Sequence, residues 1–90
     1  MREYSTPLAI DIPATGNLTD DVVNNGTHHA DSVVFSRRDG EAWSDVTAAE
    51  FLAEVRAVAK GLIAADIEAG DRVALISRTR YEWTLLDYAI

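Results

Sequence analysis

The chain has 90 residues, 48% hydrophobic and 26% charged, with a formal net charge of −7 and no Cys. This composition describes one soluble globular unit at most; it rules out disulfides, and nothing in the sequence suggests a structural metal. A chain this short buries only about two-thirds of its unfolded surface, so its own core is marginal.

The acidic balance repels phosphate backbones and anionic headgroups, which disfavours nucleic acid as a partner. Only Arg37-Arg38 and Arg78 with Arg80 form basic clusters, and each is small. The start lacks the apolar core of a secretory signal, and no run approaches the roughly 20 apolar residues of a membrane helix. A reducing, cytoplasmic location is the expectation, and the sequons at Asn17 and Asn25 read as coincidental.

Residues 1–16 carry Pro7 and Pro13 and close on Gly16. They read as an extended arm whose alternating Leu8, Ile10 and Ile12 could lie along a surface, or as a frayed terminus. Asn17 or Thr19 can cap a helix running toward Ala30, with Asp20 and Asp21 favourably placed in its first turn. Gly26 inside that helix costs about 1 kcal/mol relative to Ala. The adjacent His28-His29 pair suits a helix C-terminus better than a zinc site, because neighbouring helical residues point apart and no second ligand cluster stands near.

Ser32-Val33-Val34-Phe35-Ser36 is β-branched and aromatic, and Asp39-Gly40 signals a hairpin. The returning strand is expected to be short, around Ala42-Trp43-Ser44, with Arg37, Arg38, Asp39 and Glu41 solvated at the tip. Thr47 and Glu50 then form a capping box that opens a long amphipathic helix. Its apolar stripe is Phe51, Leu52, Val55, Val58, Ala59, Leu62 and Ile63.

Past Ala65-Asp66 the chain turns through Gly70, able to take positive φ, with Asp71 pinning the turn. Val73-Ala74-Leu75-Ile76 is apolar at every position, which predicts a strand of parallel type covered on both faces. Helix, turn and buried strand together imply an α/β layer structure. Thr79 and Glu82 suggest a second capping box, opening a helix through Tyr81, Trp83, Leu85, Leu86, Tyr88 and Ile90. That helix carries no stop signal, so the sequence reads as the N-terminal piece of something longer.

Motifs for chemistry are absent. The five glycines are scattered singly, no Ser and acid arrangement surrounds the His pair, and the carboxylates fall at helix starts and turns. Trp43, Tyr81, Trp83 and Tyr88 read as packing aromatics. No residue is therefore assigned a catalytic, cofactor-binding or metal-binding role.

The hairpin, the long helix, Ile67-Glu68-Ala69-Gly70-Asp71-Arg72-Val73-Ala74-Leu75 and then Arg80-Tyr81-Glu82-Trp83 resemble the start of the adenylate-forming acyl-CoA synthetases. Within that AMP-binding superfamily the match is most similar to bacterial long-chain fatty acid–CoA ligases of the actinobacterial kind. It covers residues 17–90 and is most specific from Trp43 onward. Thr79 stands where many such enzymes have Asn, and Asp66 where they often have Gly.

The resemblance implies a parent enzyme that uses ATP, Mg2+ and CoA to turn a fatty acid into its CoA thioester, with the family's catalytic motifs beyond Ile90. Residues 17–90 would then be scaffold of the large domain, inactive alone and partnered by the remainder of the chain. The parent would be cytoplasmic, with peripheral membrane contact allowed. The alternative is a free-standing acidic α/β interaction module that closes its core by self-association, as a homodimer or by domain swapping.

Overall fold

The computed structural model describes residues 2–90. In chain order the elements are helix α1 (Thr19–His28), strands β1 (Val33–Asp39) and β2 (Ala42–Thr47), and helices α2 (Ala48–Ala64) and α3 (Tyr81–Ala89). The two strands form one antiparallel sheet, so the chain is an α/β assembly of a hairpin with helices packed on it. Residues 2–18 form neither helix nor strand, and Leu8, Ile10 and Ile12 of the proline-containing arm are exposed.

α1 begins with Leu18 at its N-cap, whose side chain caps nothing. The expected capping acts one step earlier: the Asn17 side-chain oxygen accepts from the Thr19 amide at 2.9 Å, and Asp20 accepts from the Asn17 amide at 3.0 Å. His28 ends the helix and His29 follows it, as the dipole argument anticipates. Gly26 sits where α1 crosses α2. A Cβ there would lie 2.5 Å from Leu52 Cδ2 and 2.8 Å from Leu52 Cβ, so the missing side chain is what lets the helices approach.

Gly40, at φ 62°, and Glu41 make the two-residue hairpin loop. β2 runs on to Thr47, three residues beyond the short return strand the sequence suggested. The extension follows from the pairing, since Val46 stays opposite Phe35 and Thr47 opposite Val33 across a bulge at Val34. Thr47 then caps α2: its hydroxyl accepts from the Glu50 amide at 3.2 Å and donates to Glu50 Oε1 at 3.1 Å. The anticipated return bond from Glu50 to the Thr47 amide is thus replaced by one to the hydroxyl. The loop before β1 is tied to the same helix start, as the Ala48 and Ala49 amides donate to the Ser32 and Ala30 carbonyls.

The core is Val22, Val46, Phe51, Leu52 and Val55, with Phe35, Tyr81, Leu85, Tyr88 and Ala89 packed against it. Phe51 is its centre. Its ring lies 4.9 Å from Phe35, 6.0 Å from Tyr81 and 6.0 Å from Tyr88, the last two edge-on, the arrangement that aromatic quadrupoles favour. Beyond Val55 the apolar stripe of α2 is only partly covered: Val58, Ala59 and Leu62 are half-buried and Ile63 is 69% exposed. The Cα radius of gyration is 17.3 Å, against about 12 Å for a compact chain of this length.

After α2 the backbone turns through Asp66, at φ 68°, and Gly70, at φ 91°. Asp71 holds the turn: its carboxylate accepts from the Glu68 amide at 2.8 Å, and its own amide donates to the Glu68 carbonyl. The strand expected at Val73-Ala74-Leu75-Ile76 does not form. Val73 and Leu75 are half-buried, Ala74 is exposed and Ile76 is 99% exposed. A strand is completed by a neighbour's amides and carbonyls, and none of the described residues pairs with this segment. The capping box expected from Thr79 and Glu82 is also absent. Arg80 is the N-cap of α3 without a side-chain cap, because the Glu82 carboxylate is already engaged by two guanidinium groups. No helix among the described residues is long and apolar enough to cross a membrane.

Candidate functional site

A strand's side chains alternate between its faces, so Phe35 and Arg37 share the inner face of β1. Both are half-buried, while Ser36 and Arg38 between and beyond them are exposed. Phe35 enters the core and Arg37, two residues on, reaches α3. Its terminal nitrogen lies 2.8 Å from Glu82 Oε1, and its guanidinium carbon sits 4.2 Å from the centre of the Tyr81 ring. Arg37 is therefore a tie between hairpin and helix, not the solvated tip residue that the sequence suggested. Tyr81 is held from behind, where its hydroxyl donates to Glu54 Oε2.

The segment before α3 closes the other side. Arg80 Nε donates to Glu82 Oε2 at 2.6 Å, so one carboxylate bridges guanidiniums from two parts of the chain. Between them lies a cleft of about 660 Å³, walled by Arg37, Arg38 and Trp43 of the hairpin and by Arg78, Arg80 and Glu82. Trp43 does not pack in the core as an aromatic of this spacing suggested. It is 62% exposed, with the Arg38 guanidinium 5.5 Å over its ring.

The electrostatics follow from these contacts. The hydrogen bond from Arg80, then that from the backbone, with Arg37 adding attraction, holds the Glu82 carboxyl below its ordinary range against a partial desolvation. The same bond to Glu82 raises the already high value of Arg80. Burial, then the hydrogen bond to Glu54 and its charge, pushes the Tyr81 phenol up, so the ring stays neutral across the physiological range.

Four of the eight Lys and Arg residues wall this cleft with one of the fifteen Asp and Glu residues. In sequence these are two unremarkable arginine pairs about forty residues apart. The one readable signal was the alternation that turns Arg37 inward beside Phe35. Tyr81 and Tyr88 do pack on the core, as expected, whereas Trp83 is 41% exposed. His28 and His29 lie exposed at the far end of α1. Among the described residues no group of three or more His, Asp or Glu gathers where a metal ion could be held.

Comparison with known proteins bears on the whole chain. The family model described as AMP-binding enzyme matches residues 22–90. The chain is also similar to the long-chain-fatty-acid–CoA ligase FadD15 of Mycobacterium tuberculosis and to its namesake in Mycobacterium bovis. Each is 41% identical over 90 residues, 100% of this chain and 15% of the relative. The chain thus spans about 15% of the length of the curated relatives it matches. No solved structure matches it significantly.

Proposed function

The chain belongs to the AMP-binding enzyme family, and from that premise we propose that it is the N-terminal scaffold of a long-chain fatty acid–CoA ligase. In that reaction a fatty carboxylate attacks ATP to give an acyl-adenylate and pyrophosphate. The CoA thiol then displaces AMP and leaves the thioester. The observation that supports this reading is the 41% identity running through all 90 residues to ligases of that description.

In this proposal residues 1–16 are an arm and residues 17–90 belong to the AMP-binding domain. Neither supplies a reacting group. The nucleotide, metal and thiol sites are assigned to the remainder of the chain. The scaffold's partner is that remainder, which would cover Ile63, Ile76, Trp83 and Ile90. We place the ligase in the cytoplasm, where CoA and ATP are at hand, with peripheral membrane contact where fatty acids enter.

The test is to read the coding sequence past codon 90 and assay the continuous polypeptide beside the 90 residues alone. Pyrophosphate release that requires ATP and a long-chain fatty acid, with CoA consumed, is expected from the longer chain only. Steady release from the 90 residues would remove the scaffold reading. A stop directly after Ile90, with a dimer in dilute ultracentrifugation, would favour self-association through the same apolar surface.

A further inference from the structure

We propose that the cleft between the hairpin and the start of α3 is a binding site for a phosphate-bearing anion, held by Arg38 and Arg78. Three observations converge on it. Glu82 already takes Arg37 and Arg80, leaving Arg38 and Arg78 with no ion pair among the described residues. Outside the cleft four cations stand against fourteen acids, so the cleft is a local reversal of sign on an acidic protein. The first turn of α3 also opens on it with no side-chain cap, adding the positive end of a helix dipole.

The donors suit phosphate in particular. Guanidinium presents paired N–H groups at the spacing of two phosphate oxygens, and the Thr79 hydroxyl stands at the wall as a further donor, while the Ser36 and Ser77 hydroxyls already donate to Asp45 and to the Arg78 carbonyl. A volume of about 660 Å³ exceeds what a single phosphate fills, and lies within the range of about 300–1,000 Å³ usual for small-molecule sites. Trp43, 62% exposed, stands at the wall beside Arg38 for the remainder of the ligand to meet. Such a phosphate could be free in solution or carried on a lipid headgroup. The site rests on this chain's own geometry and stands or falls apart from the ligase reading, since binding needs neither fatty acid nor turnover.

Two arms separate the sources. The full chain is titrated calorimetrically with inorganic pyrophosphate, and it is sedimented with phosphatidylcholine vesicles made with and without phosphatidylglycerol. The R38Q/R78Q double variant is expected to weaken whichever binding is seen by about tenfold, the loss of charge-assisted hydrogen bonds. The R56Q/K60Q double variant, which removes equal charge from the exposed side of α2, is expected to leave it unchanged. All four side chains belong to exposed residues, and unchanged circular dichroism confirms that both variants fold. Pyrophosphate binding alone assigns a soluble ligand; capture that requires phosphatidylglycerol assigns a headgroup. Binding in neither arm, or equal loss in the two double variants, overturns the site.

Discussion

The two ends of α2 carry the same apolar stripe, yet the first is buried and the second only half-covered. Around Phe51 the helix meets α1, both strands and α3, and Phe51, Leu52 and Val55 are 4%, 6% and 5% exposed. Two turns later Ile63 is 69% exposed, and the segment that follows leaves Ile76 99% exposed. Both regions are apolar in sequence. What separates them is supply of partners: α1 and the hairpin come before α2 and fold back on its start, while its end meets only the turn at Ile67 and the end of α3, around a small apolar cleft of about 170 Å³. Local sequence makes an amphipathic helix, but burial depends on what else is present to lie against it.

The largest effects should divide along this line. Phe51→Ala removes the ring shared by Phe35, Tyr81 and Tyr88, and is expected to cost about 3–5 kcal/mol in urea unfolding, much of what a small domain has. Ile76→Ala in the same 90 residues should stay within about 0.5 kcal/mol, as for any exposed site. In the longer polypeptide the second substitution should become a core truncation costing about 2–5 kcal/mol, if the remainder of the chain covers it. Equal, small costs for Ile76→Ala in both would show that the open region is never covered, and the contrast between the regions would lose its functional meaning.

Two glycines sharpen the comparison at lower energy. Gly26→Ala forces a methyl against Leu52 Cβ at 2.8 Å, an overpacking worth about 1–3 kcal/mol, which outweighs the gain of about 1 kcal/mol in helix propensity. Gly61→Ala, where nothing lies within 4 Å, keeps the propensity gain and should stabilise by about 0.5–1 kcal/mol. Thermal unfolding of the pair reads opposite signs. A stabilised Gly26→Ala would mean that α1 does not sit on α2 as closely as the structure has it.

How much was legible in the sequence follows the same division. The Thr47 cap, the hairpin at Asp39-Gly40 and the Gly70 turn held by Asp71 were all readable, because each is decided by residues within four positions of one another; the last helix was readable from its apolar pattern, but not its start, which falls at Arg80 without the Thr79 cap. Asp66, which stands where the resemblance puts Gly, does adopt the left-handed φ of 68° that Gly takes most easily. Val73-Ala74-Leu75-Ile76 failed because a strand is a property of two segments. The arginine cleft was missed for a related reason: Arg37 and Glu82 are 45 residues apart, and only the folded hairpin brings their charges together. That long-range pairing also consumed the Glu82 side chain that the local pattern had assigned to Thr79.

Glu82 is where the open segment is fastened to the closed core, and its titration gives the smallest effect and the most local one. The carboxyl is held below its ordinary value in the folded chain. A depressed carboxylate stabilises the fold above its unfolded pKa, and that contribution disappears as pH falls from about 4.5 through the folded value. Because the side chain is still 37% exposed, screening keeps the energy small and the informative readout is the titration itself. Carbon-detected NMR of Glu82 should give a midpoint below that of an unperturbed glutamate. Arg80→Gln should restore it more than Arg37→Gln, since the Arg80 hydrogen bond is the larger cause. At acid pH residues 77–80 should then loosen from the hairpin while the Phe51 cluster, which contains no ionisable carboxylate, keeps its chemical shifts. Simultaneous loss of both would mean that the two regions unfold as one and that the aromatic core depends on the ion bridge; an unshifted midpoint would mean that the bridge does not form in solution.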